Sequence, residues 1–226
     1  MAKTISFISP KGGVGKTTAA VLLATEFANQ GLKVTVVDAD PNYPVLAWSK
    51  LAKLPRNLKI TSEVDEDDII DVIEAAKKKS QVVIIDLEGR ATARAMSSLL
   101  VSDLAIVPIQ GSVLDANQAL KGFKSIKTAG KGRVKPIRSV ALLTRTAAHD
   151  GLWSRQLRQL RSNLVDAGIE IVPTSLAERS AYKDLFGLGG TLADMNPKEV
   201  SSLENAQKNA LAYAHDVLTI LNDKKG

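Results

Sequence analysis

The segment Lys11-Gly12-Gly13-Val14-Gly15-Lys16-Thr17-Thr18 constrains this chain more than any other. It follows an apolar stretch, Thr4 to Ser9, that reads as a strand, and it opens a stretch to about Gln30 that reads as a helix. Three glycines in a strand-to-helix turn let the backbone wrap closely, so that its N–H groups face a chain of phosphates. The helix start adds the positive end of its dipole. In such a loop Lys16 reaches the β- and γ-phosphates and the Thr17 hydroxyl coordinates Mg²⁺. The standard pattern asks for glycine where Pro10 stands, so it fails at its first position. The variant with a second lysine, at Lys11, fits.

Strands and helices alternate after this loop. Gly31 sits where a helix cap belongs, and Lys33 to Asp38 is a β-branched strand. A short helix around Trp48 (Pro44 to Lys53) and a short strand (Leu58 to Thr61) follow. The next helix opens on Asp65, Glu66, Asp67 and Asp68 and closes on Lys77, Lys78 and Lys79, matching the helix dipole. Gln81 to Asp86, Asp103 to Ile109 and Ser139 to Thr144 are apolar runs of the kind buried on both faces of a parallel sheet. Helices are expected at Val113 to Ala129 and Gly151 to Ala167, and a short strand at Ile169 to Pro173. Asn196 and Pro197 read as the start of a closing helix reaching Asn222, with Leu203, Leu211, Leu218 and Leu221 as its core stripe. The sum is an α/β fold: a doubly wound, mainly parallel sheet with helices on both faces, in one domain over residues 1–226.

Composition narrows the chemistry. With no cysteine, thiolate metal sites and cysteine nucleophiles are excluded, and with only His149 and His215 a histidine-based site has little to draw on. No apolar run approaches the roughly 20 residues of a membrane span, and the N-terminus does not read as a signal peptide. The expected compartment is the cytoplasm.

Carboxylates complete the motif set. Asp38 and Asp40 close the second strand two residues apart, which suits Mg²⁺ and a nucleophilic water beside a phosphate loop. Asp86 ends the strand Val82 to Ile85, where an acid holds Mg²⁺ through water. Glu88 is either a second water-handling group or a surface acid.

With its second lysine and these acids, the chain resembles the ParA/MinD family of P-loop ATPases with a deviant Walker A loop. The resemblance implies ATP and Mg²⁺ as cofactors, with the backbone of Gly12, Gly13, Val14, Gly15 and Thr18 around the phosphates. It assigns Lys16 to the phosphates, Thr17, Asp38 and Asp86 to Mg²⁺, and Asp40 to the attacking water. It also implies that Lys11 crosses to a partner's nucleotide in an ATP-dependent homodimer. Thr144-Arg145 and the region from Pro173 to Arg179 match segments that hold adenine in relatives. Two departures stand out: Asn42 where Gln is usual, and Leu87-Glu88-Gly89 where prolines often follow the acid.

Charge is unevenly spread. Between Lys121 and Arg161 stand eleven lysines and arginines against one acid, Asp150, although the whole chain carries only +6. Such asymmetry points to a polyanion; a solvated set of helix faces is the plainer reading. Arg155, Arg158 and Arg161 share one side of a helix. With Lys121, Lys124 and Arg145 they are candidates for binding DNA through its phosphates, without reading sequence. In ParA relatives the ATP dimer binds DNA in this way. The resemblance thus implies plasmid or chromosome partition, a centromere-binding or cargo adaptor as partner, and nucleoid association when ATP is bound. No helix-turn-helix precedes the loop, and the closing helix lacks the anchors of a membrane-binding one. Two rivals remain: an accessory ATPase that positions a protein cargo or a DNA-transfer complex, and a metabolic P-loop synthetase.

Overall fold

The computed structural model describes residues 2–51, 53–62, 68–89, 92–111, 113–131, 133 and 136–223. Seven strands, β1 (Lys3–Phe7), β2 (Val34–Ala39), β3 (Leu58–Thr61), β4 (Val82–Leu87), β5 (Leu104–Ile109), β6 (Arg138–Thr146) and β7 (Glu170–Ile171), form a parallel sheet. Their order is β3-β2-β4-β1-β5-β6-β7, and β8 (Leu176–Ala177) also pairs with β6. One face carries α1 (Lys16–Asn29), α2 (Pro44–Ser49), α7 (Ser180–Leu188) and α8 (Leu203–Asn222). The other carries α3 (Ile69–Lys77), α4 (Ala93–Leu100), α5 (Val113–Ala129) and α6 (Arg155–Asp166).

Alternation along the strands makes two cores. Successive side chains point to opposite faces, so β4 sends Val82 and Ile84 under α1 and Val83 and Ile85 under the α3–α6 layer. Every residue of β2, β4 and β5 is buried, which is why these strands read as unbroken apolar runs. The doubly wound fold expected from the sequence is present.

Several boundaries differ from the sequence reading, each for a local reason. The sixth helix begins at Arg155 because the Ser154 hydroxyl caps it, accepting from the Leu157 N–H at 3.1 Å; Asp150–Leu152 is a separate 3-10 turn. The closing helix begins at Leu203, not Pro197. Asn196 instead makes a turn, its amide oxygen accepting from the Lys198 N–H at 3.0 Å, a use of asparagine as common as capping. Leu211 is not a core residue, being 50% exposed. Leu203 is buried as expected and Leu218 and Leu221 pack partly buried against the same core; the rest of the buried side of α8 is Ala206, Ala210, Tyr213, Ala214, Val217 and Ile220, and its small residues let the helix lie close to α1. The strand expected over Ile169 to Pro173 is only two residues long, and α4, β8 and α7 were not anticipated. Asp65, Glu66 and Asp67 lie outside the described residues. Among the described residues no helix is long and apolar enough to cross a membrane.

Candidate nucleotide-binding site

Parallel register assembles the site. Phe7, the last residue of β1, stands opposite Asp86 of β4, and Asp86 stands opposite Asp38 of β2. The glycine loop and two acids therefore leave the carboxyl edge of the sheet together, where open α/β sheets form their binding crevice. Within the loop Gly13 (φ 73°) and Gly15 (φ 93°) take the left-handed conformation, which side chains disfavour and glycine adopts freely. Two distant residues fix the turn between them. The Gln110 side-chain amide donates to the Gly13 carbonyl at 2.9 Å, and the buried Thr144 hydroxyl donates to the Val14 carbonyl at 2.8 Å.

The loop borders a cleft of about 630 Å³ lined by Gly12, Gly13, Gly15, Lys16, Thr17, Thr18, Asp40, Pro41, Asn42, Glu88, Gly89 and Arg145. A second pocket of about 220 Å³ adjoins it and shares Gly15, Thr18 and Arg145. This second pocket is walled by Thr144, Leu176, Ala177, Arg179, Tyr182 and Phe186. One chamber suits an anionic chain and the other a flat ring.

Burial sets the electrostatics. Lys16 is buried at the first position of α1. Desolvation draws its ammonium below the ordinary lysine range, against the pull of Asp86, Asp40 and Glu88. Asp86 is fully buried, and burial pushes its carboxyl up to about 7 although the Thr17 hydroxyl, donating at 2.7 Å, works the other way. Asp38 is likewise pushed up to about 6 by burial, while its Oδ2 accepts from the Leu46 N–H at 2.9 Å. The Oδ1 atoms of both acids are buried without a hydrogen-bond partner. Two adjacent buried carboxylates with orphaned oxygens, beside a threonine hydroxyl, make a donor set that fits a hard divalent cation. Among the described residues no cluster of three or more His, Asp or Glu forms a self-contained metal site. The set therefore suits Mg²⁺ that shares its coordination with phosphate and water.

Asp40 sits at the cleft rim. Its Oδ1 accepts from both the backbone and the side-chain N–H of Asn42, each at 2.9 Å, and the residue lines the cleft. Asn42 thus holds the acid in place with the shorter of the two amide side chains. Behind it Arg94, at the start of α4, donates to the Ala39 carbonyl at 3.0 Å.

The remaining sequence candidates separate. Arg179 lines the apolar pocket, but Pro173 is exposed and lies outside that lining. Arg145, named above both with the adenine-holding segments and with the DNA candidates, lines both chambers of the cleft. It is the extra residue of a β-bulge between Thr144 and Thr146, with φ 51°, and bulges re-aim side chains at site edges. Arg155, Arg158 and Arg161 are exposed on α6, and Lys121 and Lys124 are exposed on the adjoining α5. Two further members of the basic segment are engaged internally. Arg133 donates to the Leu99 and Ser102 carbonyls, and Arg138 pairs with Glu170 at 2.8 Å. Lys135 lies outside the described residues. Gly89 and Arg94 were not singled out from sequence as parts of the site, and no spacing rule marks contacts so distant along the chain.

Comparison with known proteins agrees with this architecture. The profile of the family described as VirC1 protein matches residues 2–221. The protein ParA of Rhizobium radiobacter is 32% identical over 207 residues, spanning 90% of this chain and 92% of that one. Among solved structures, the cell division ATPase MinD of Pyrococcus furiosus superposes with a TM-score of 0.73 at 18% identity, covering 97% of this chain and 100% of that one. The McdA–ATP complex of Cyanothece gives 0.73 at 16% identity, covering 96% of each chain. At such low identity the structural likenesses speak to fold, whereas the profile and the ParA likeness speak to kinship. The chain belongs to the VirC1 family, within the ParA/MinD family of P-loop ATPases.

Proposed function

We propose that this protein is an ATP-driven switch that dimerises on ATP, binds DNA without reading sequence and partitions a plasmid or chromosome. A partner protein on the cargo would stimulate hydrolysis and release. The observation that carries this reading is a glycine-loop cleft beside two buried carboxylates with unpartnered oxygens, in a chain that matches ParA over nine-tenths of its length. McdA, a neighbour in fold, has been solved with ATP.

In this reading Lys16 places its ammonium on the β- and γ-phosphates. Thr17, Asp38 and Asp86 hold Mg²⁺, which when bound neutralises charge developing on the phosphates. Asp40, held by Asn42, orients the attacking water. Arg179 and the walls of the smaller pocket take the base. Lys11, on the exposed rim of the loop, reaches the nucleotide of a second copy. Hydrolysis then changes which partner is held, because a switch acts through the difference in affinity between its states. The protein works in the cytoplasm and joins the nucleoid when ATP is bound.

The test is sedimentation with a slowly hydrolysed ATP analogue. Wild type is expected to shift from monomer to dimer, and Lys11→Ala to bind the analogue yet stay monomeric. A dimer unchanged by the substitution refutes the cross-interface role. Capture of a protein cargo by a dimer with no affinity for DNA would replace partition by an accessory role in positioning or DNA transfer.

A further inference from the structure

The smaller pocket takes two of its walls from short elements: Leu176 and Ala177 from β8, which is two residues long, and Tyr182 and Phe186 from α7. One side chain of α8 bonds to both. The Asn209 Oδ1 accepts from the Ala177 N–H and from the Tyr182 hydroxyl, each at 3.1 Å, and its amide donates to the Ser175 carbonyl at 2.9 Å. The Ser175 carbonyl and the Ala177 N–H are the pair of groups that one peptide of a neighbouring parallel strand would take. Asn209 takes them instead, because its amide carries an acceptor and donors on one planar group. The Tyr182 hydroxyl also donates to the Ala206 carbonyl of α8 at 3.1 Å. Burial pushes its phenol up, against the pull of Arg179, so it stays a donor.

Asn209 is not among the residues that line the pocket; it stands behind the two walls and fixes one against the other. We propose that Asn209 is a positioning residue for the nucleotide base. By bonding β8 and α7 at once it sets the spacing of the slot between them, so that a flat ring enters a preformed site and little ordering is left to be done on binding. This rests on the ATP reading above and adds the residue, far from the phosphate loop on the last helix, through which affinity comes to depend on the base.

The experiment titrates wild type, Asn209→Ala, Asp216→Ala and Tyr182→Phe with ADP and with inorganic pyrophosphate, each with Mg²⁺. Pyrophosphate has no base, so the ratio of the two affinities isolates what the smaller pocket contributes. Asp216 is the control: it lies two turns further along the same side of α8 and accepts from the Thr174 N–H at 2.7 Å, but neither residue lines the pocket. Asn209→Ala is expected to lower the ADP-to-pyrophosphate ratio by at least about fivefold, the scale of a lost hydrogen bond, while pyrophosphate stays within about twofold. Asp216→Ala is expected to lower the urea midpoint and leave the ratio as it was. A wild-type ratio in Asn209→Ala, or an equal fall in Asp216→Ala, overturns the proposal. Should Asn209→Ala not fold, Tyr182→Phe decides: it keeps the ring, removes one of the two donors to Asn209 Oδ1, and is expected to lower the ratio by about threefold; an unchanged ratio overturns the proposal. A wild type that binds ADP no more tightly than pyrophosphate overturns the ATP reading itself, which is a different result from an Asn209 without influence on the base.

Discussion

The phosphate cleft and the basic face of α5 and α6 are built on opposite terms. In the cleft Lys16, Asp38 and Asp86 are buried, and the acids are held by register and by hydrogen bonds: Asp38 opposite Asp86, Thr17 donating to Asp86, Asn42 holding Asp40. On the basic face Lys121, Lys124, Arg155, Arg158 and Arg161 are exposed side chains on a helix layer that packs through Ile126, Leu157, Leu160 and Leu164. Buried charge costs several kcal/mol unless it is paired or hydrogen-bonded, and in the cleft burial pushes both carboxyls up although each keeps one hydrogen-bond donor. Exposed charge is screened by salt within about 10 Å at 0.1 M, so the face works by number and not by position. Single substitutions should therefore be severe in the cleft and shallow on the face.

The largest effect is expected at Lys16. Lys16→Ala removes the buried cation that Asp86, Asp40 and Glu88 surround, and ADP affinity measured by calorimetry should fall by at least about a hundredfold, or ~2.7 kcal/mol. Near-normal affinity would break the cleft assignment. Asp40→Ala comes next: ATP analogue affinity should hold while the hydrolysis rate falls about 10²-fold, the share that a positioned acid or base supplies. If turnover in Asp40→Ala matched wild type, Glu88, on the same wall of the cleft, would take over the handling of water.

The two regions also differed in how far their sequence could be read. Cleft residues announce themselves because a phosphate loop needs glycines and a lysine at fixed spacing after a strand, and because Asp38, Asp40 and Asp86 end apolar strands. What stayed hidden there was supplied from afar: Gln110 and Thr144 lie 97 and 130 residues from the loop carbonyls they hold, and the close packing of Gly89 on Gly12 shows only in the fold. Charge counting fared worse. Arg133, Arg138 and Arg145 belong to the basic segment, yet the first two satisfy carbonyls and acids inside the fold and the third turns into the cleft at a bulge. Composition records charge, and only the fold records which way it points. The missed helices α4 and α7 are only eight and nine residues long, too short for a repeat of two turns to stand out, whereas β2, β4 and β5 needed no more than their unbroken apolar runs.

For the face, the informative measurement is the salt dependence of DNA binding by the ATP-bound protein. Changing Arg155, Arg158 and Arg161 together to Glu should lower affinity on every duplex alike, and the log–log slope should flatten by about 0.9 for each phosphate that is no longer neutralised. Nucleotide affinity should not change. The Lys77, Lys78 and Lys79 cluster at the end of α3 is the comparison: one of them is already paired with Glu74 at 2.7 Å, and their replacement by Gln should leave DNA binding as it was. A triple arginine variant that bound DNA as well as wild type would make α6 a solvated face and leave partition resting on kinship.

The smallest effect on DNA, and the sharpest test of the contrast, is expected at Arg138. By charge it belongs to the basic segment as fully as Arg155 does, but its guanidinium is committed. It donates to the Ile220 and Asp223 carbonyls at the end of α8 and pairs with Glu170 of β7, with its side chain 18% exposed. It therefore ties the last helix to the edge of the sheet. Removing it leaves the carbonyls of a helix end and a carboxylate without their donor, a loss of about 1–3 kcal/mol, so urea unfolding of Arg138→Ala should show a lower midpoint. Arg155→Ala, which leaves nothing buried behind, should stay within about 0.5 kcal/mol of wild type. On DNA the order reverses: Arg155→Ala should reduce the salt slope, and Arg138→Ala, assayed where it remains folded, should not. If Arg138→Ala instead weakened DNA binding as much as Arg155→Ala, the binding surface would reach past α6 to the β7 edge. Burial would then no longer separate the arginines that hold the fold from those that hold DNA.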